Sequence, residues 1–99
     1  METSIRRLGT SAAVVSVCGS FDVLDAERLY ALAVALGSDR VTLDFYRARP
    51  VHDSAIARLG HDLHDSAGRF ALSGLSEHHR RLLRYMGYGE ELAGHGIGR

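Results

Sequence analysis

A chain of 99 residues has room for one hydrophobic core and not for two independent ones. Its twelve arginines balance twelve acidic residues with no lysine, so no basic stripe is available to displace counterions from a phosphate backbone, and nucleic acid is excluded as a partner. Cys18 is alone, which rules out an internal disulfide and points to a reducing compartment.

The opening METSIRRLG lacks the apolar core of a secretory signal, and no run approaches the roughly 18 apolar residues that cross a bilayer. A cytoplasmic protein without a membrane span is expected. SIRRL (4–8), polar and brief, is read as a short edge strand. AAVVSVCG (12–19), valine-rich and ended by Gly19, reads as a buried strand, with Cys18 expected to be an inert buried thiol. DAERLYALAVALG (25–37) changes period: Asp25 is placed to cap a helix, Leu29, Ala33 and Leu36 form its stripe, and Gly37 suits a left-handed stop.

RVTLDFY (40–46) alternates Val41, Leu43 and Phe45 with polar or amphipathic residues, the period of a half-buried strand, and RARP then turns the chain. From Asp53 the apolar positions become Ile56, Leu59, Gly60 and Leu63, a helix ending near SAG (66–68). RFALSG (69–74) supplies another strand, and LSEHHRRLLRYMG (75–87) a helix capped by Ser76 with Leu82, Leu83 and Met86 inward. The last residues, 93–99, are expected to fray.

Strand and helix alternating three times predicts an α/β sandwich: one domain over residues 1–99, with a small mixed sheet of about four strands and a core spanning 12–92. Ser16, Thr42, Asp44, Arg69 and Ser73 interrupt the strands, so one sheet face is too polar to be covered, and the helices are expected mainly on the other.

The chemistry concentrates at Asp53–Ser54, where the second helix begins. At about 100° per residue Ser54 points away from the stripe of Ile56, Leu59 and Leu63, so its hydroxyl is reachable. A phosphate there would be tolerated by the positive end of the helix, and its added charge beside Asp53 would repel an acidic partner and spoil any apolar contact of Ala55. The competing reading is structural, because Asp and Ser are favoured at helix starts.

GSFDVLDAERL, VTLDFYRARPVHDSAIARL and FALSGLSEHHRRLLRYMGY, in that order, resemble the motifs of the STAS family of the anti-sigma-factor-antagonist type, over roughly residues 12 to 92. Gly19 and Asp22, Leu43 and Asp44, Asp53 and Ser54, and Arg80 to Leu83 carry the resemblance. It implies that Ser54 is the target of a serine kinase of the ATP-binding, histidine-kinase-like type, often itself the anti-sigma factor, with a phosphatase to reset it. It further implies a docking surface of Asp22, Asp53, Ser54, Ala55 and Arg58, no cofactor and no catalytic residue. Where sporulation-type members continue with Ser-Gly this chain has Ala55–Ile56, closer to the scaffold proteins of stressosome complexes, and self-association into a homo-oligomer is compatible with that resemblance. The alternative is a scaffold or transporter-associated domain of the same fold in which Ser54 is never modified.

His61 and His64, spaced i, i+3 beside Asp62 and Asp65, would need His52 or His78 to complete a metal site, so a solvated face without metal is expected there and at HHRR (78–81). Asp44 resembles a receiver phosphoacceptor only in being an acid at a strand end, and the lysine such receivers use is absent. Its carboxylate is expected to bond loop backbone, Arg47 or Arg49.

Overall fold

The computed structural model describes residues 1–66, 68–88 and 92. Its elements run β1 (Glu2–Leu8), β2 (Ala12–Phe21), α1 (Val23–Ala35), β3 (Arg40–Val51), α2 (Asp53–Leu63), β4 (Phe70–Ser73) and α3 (Glu77–Tyr85). The four strands form one sheet in sequence order. β1 pairs antiparallel with β2, whereas β2–β3 and β3–β4 are parallel and are joined through α1 and α2. The sheet is therefore mixed, with the segment near the N-terminus present as an edge strand that is exposed along its length.

Period-two patterning decides which face is covered. Ala13, Val15 and Val17 of β2 and Val41, Leu43 and Phe45 of β3 are buried, and they join Leu29, Ile56, Leu59, Leu63, Phe70, Leu72 and Leu83 in one core. Phe21 meets Phe45 edge to face at 4.9 Å between ring centroids, a preferred aromatic geometry. The intervening Val14, Ser16, Thr42 and Asp44 lie on the opposite face and are only partly buried. Cys18 follows Val17 on that open side and is exposed, which corrects the expectation of a buried thiol: alternation, not composition, sets its direction.

RARP does not turn the chain. β3 continues to Val51, and its register against β2 slips twice, once opposite Ser16–Cys18 and once opposite Gly19–Phe21. Each slip inserts an extra β3 residue, so that Ala48 is buried again after the exposed Tyr46 and Arg47. Pro50 falls in the second slip and beyond Asp44, the last β3 residue paired with β4, where a missing N–H breaks no ladder bond on that side.

α1 starts three residues earlier than predicted. Its cap is Asp22, not Asp25: Asp22 accepts from the Asp25 backbone N–H at 2.9 Å, and Asp25 reaches back to accept from the Asp22 N–H at 3.1 Å. Gly37 follows α1 at φ +67°, as expected of its stop. Ser76 caps α3 by accepting from the His79 N–H at 3.2 Å. Two glycines set how closely α3 approaches. A Cβ on Gly60 of α2 would lie 2.7 Å from side-chain carbons of both Leu83 and Tyr88, and one on Gly74, already at φ +75°, would lie 2.5 Å from the Tyr46 backbone nitrogen. Asp44 accepts from the Tyr46 N–H at 3.0 Å and from the Ser73 hydroxyl at 3.4 Å, so it serves the backbone here and bonds neither Arg47 nor Arg49.

The buried set reaches Leu92. The predicted frayed segment, 93–99, lies outside the described residues.

Candidate functional site

The last pairing of the central strands, Phe21 with Val51, brings the starts of α1 and α2 to one end of the sheet. The His52 N–H donates to the Phe21 carbonyl at 3.1 Å, which fixes Asp22 beside the His52–Asp53–Ser54 segment. The Asp22 carboxyl is held below its ordinary value, chiefly by the Asp25 backbone N–H and in smaller part by the charge of His52.

Ser54 is exposed and occupies the second position of α2. The cap position belongs to His52, whose side chain makes no capping bond, so Ser54 does not serve as the cap. Ala55 is the correction at this site: it is fully buried. Ala55, Leu59 and Leu63 stand at i, i+4 and i+8, and the same helical period that turns Ser54 outward carries Ala55 under the helix. A docking surface here therefore excludes the Ala55 side chain.

Arg58 is exposed but engaged. Its Nη1 lies 3.2 Å from Glu27 of α1 and its Nε 3.3 Å from Asp62, one turn further along α2. It ties α1 to α2 along the outer surface, one turn from Ser54.

Asp53 is where the structure departs furthest from sequence reasoning. His78 Nε2 lies 2.9 Å from Asp53 Oδ2 and 3.0 Å from Oδ1, and His79 Nε2 lies 2.9 Å from Oδ1. These bonds hold the Asp53 carboxyl below its ordinary value, the hydrogen bond from His78 most of all. His79 is buried, with its side chain only 10% exposed, so HHRR is not the uniformly solvated face expected of it. The α3 stripe predicts this in part, because His79 precedes the buried Leu83 by one turn. Its partner could not be read, since Asp53 is 26 residues away.

The rest of that helix start is self-contained. Glu77 gathers Arg80, Arg81 and Arg84, which keep its carboxyl below its ordinary value, Arg80 foremost. His61 and His64 do not join His78: His64 Nδ1 contacts the His61 carbonyl at 2.8 Å, and its ring stacks on Tyr88 at 4.6 Å between centroids. Among the described residues, no helix is long and apolar enough to cross a membrane.

No protein-family model matches the sequence, and neither does any curated protein. Among solved structures, the anti-sigma factor antagonist SpoIIAA in its unphosphorylated form superposes with a TM-score of 0.62 at 19% identity, over 85% of this chain and 83% of that one. The mixed four-stranded sheet with helices on one face is thus the STAS fold of that antagonist, and at this identity the likeness is one of fold.

Proposed function

We propose that this chain is a regulatory binding module of the anti-sigma-factor-antagonist kind, which changes partners when an ATP-binding anti-sigma kinase phosphorylates Ser54. The observation that carries this reading is the exposed Ser54 at the second position of a helix whose start has no side-chain cap. The first amides of a helix have no acceptor one turn back; here the His52 N–H donates to the Phe21 carbonyl and the Ala55 N–H to the His52 carbonyl, which leaves those of Asp53 and Ser54 for an incoming anion. The two imidazoles on Asp53 occupy its carboxylate, which lessens the repulsion a phosphate one residue away would meet.

In the proposed reaction the Ser54 oxygen takes the γ-phosphoryl group of ATP, releasing ADP and a proton. The unmodified surface of Asp22, Asp53, Ser54 and Arg58 binds the kinase, the added charge of about −1.5 to −2 ends that contact, and a phosphatase restores it. The superposition on an antagonist solved in its unphosphorylated form supports the class of partner.

The test is incubation with the cognate kinase and ATP, followed by mass spectrometry. One added phosphoryl group mapping to Ser54, and none on Ser54→Ala, is the expected result. Ser54→Ala should keep kinase binding while Ser54→Asp weakens it by about a hundredfold, since a charge desolvated at an interface without a partner across it costs several kcal/mol. An unchanged mass beside a kinase that modifies a control substrate, or equal affinity of the two variants, would replace the switch with a constitutive scaffold.

A further inference from the structure

We infer that Asp53, His78 and His79 form a site for a divalent transition metal of the zinc class. This inference is independent of Ser54 phosphorylation and rests on the convergence of the three side chains. One carboxylate oxygen and the two Nε2 atoms all lie within 4.8 Å of one another, in the one such group of three found among the described residues. In a tetrahedral zinc site with bonds near 2.0–2.2 Å, ligand atoms stand about 3.4 Å apart. To admit the ion, the contacts of 2.9 to 3.0 Å between Asp53 and the imidazoles would open by about half an ångström, and the two imidazole nitrogens, within 4.8 Å of each other, would settle to the same spacing.

Orientation is already provided for the buried ligand. The Ser76 hydroxyl lies 3.0 Å from His79 Nδ1, and that oxygen is itself fixed by the His79 backbone N–H. In the metal-free chain His79 Nε2 donates to Asp53; on metal binding that proton would leave and Nδ1–H would donate to the Ser76 oxygen, the usual role of an outer partner to a ligating histidine. Asp53 and His78 are more than half exposed, so an ion has a way in. A groove of about 370 Å³, lined by Tyr46, Arg49, Ser76 and His79 among others, adjoins the buried imidazole but is lined by neither Asp53 nor His78, so a further water ligand would come from the exposed side of those two residues. Two imidazoles and one carboxylate favour zinc, cobalt, nickel or copper over magnesium or calcium, which take oxygen ligands.

The experiment uses the full chain purified without a histidine tag and stripped with chelator. Calorimetry should show one equivalent of Zn²⁺ bound with a dissociation constant below about 10 μM, and Co²⁺ should give the visible absorption of a tetrahedral ion. His79→Gln and Asp53→Asn should abolish both signals, whereas His61→Gln/His64→Gln should retain them. Ser76 would act as a positioning residue: Ser76→Ala should weaken zinc by about 10- to 100-fold and Ser76→Thr restore it. Should a ligand variant fail to fold, zinc protection of the exposed His78 in the unaltered protein against acylation by diethyl pyrocarbonate, mapped by mass spectrometry, gives the same answer. Absence of saturable binding, absence of that protection, or binding lost with His61 and His64 but kept without His79 would overturn the assignment.

Discussion

The starts of α1 and α2 lie side by side at one end of the sheet and are built in opposite ways. α1 closes on itself, with Asp22 and Asp25 exchanging hydrogen bonds across a capping box. α2 opens under His52, which caps nothing, and its first acidic residue, Asp53, is drawn away to His78 and His79. A helix start satisfied by its own side chains has little left to offer another molecule, and one left open can receive an anion. The difference shows that Asp22 and Asp53, though both acidic residues at helix starts, serve unlike ends: the first finishes a helix, and the second joins two.

The largest expected effect concerns what holds α2 without a cap. Its anchorage falls to the fully buried Ile56 and Leu59 and the nearly buried Leu63, so Leu59→Ala should cost about 2 to 5 kcal/mol in chemical denaturation. A loss below about 1 kcal/mol would mean that the stripe is not what secures the helix. Next comes the contrast of caps. Asp22→Ala should lower the melting temperature by about 4 to 8 °C, and His52→Ala should change it by less than about 2 °C. Equal shifts would erase the distinction between the two helix starts.

The smallest effect is on the acid side. The Asp22 carboxyl titrates lower in the folded chain than in the unfolded one, so its contribution is complete above the ordinary carboxylate range near pH 4 and is lost as pH falls through its lowered value. Asp22→Asn keeps a capping acceptor and removes the titration. Urea denaturation followed from about pH 6 to pH 2 should show a shallower decline in stability for that variant, and an unchanged slope would place the acid sensitivity elsewhere.

Much of the fold was legible because it is written in short-range patterns. The stripe of Ile56, Leu59, Gly60 and Leu63 is buried as its spacing requires, Ser76 caps α3, and the polar breaks at Ser16, Thr42 and Asp44 leave one face of the sheet without helices. The cap lies one turn before Asp25, because DVLD offers two acidic residues three apart and the capping box uses both. At the site, the outward direction of Ser54 was legible and the burial of Ala55 was within reach, since residues 55, 59 and 63 fall on one line of the helix.

By itself the sequence determined the period of each element, the face each turns inward and the exposure of Ser54, because these follow from helical and pleated geometry over a few residues. Only the tertiary structure decided that β3 runs on through Pro50 by slipping its register, and that Asp53 meets His78 and His79 across 25 and 26 residues of chain. Such a meeting depends on how the parallel pairing of β3 and β4 and the close approach at Gly60 and Gly74 set one helix start against another. No local pattern encodes that distance, because it is the sum of several packing contacts made far apart in the chain.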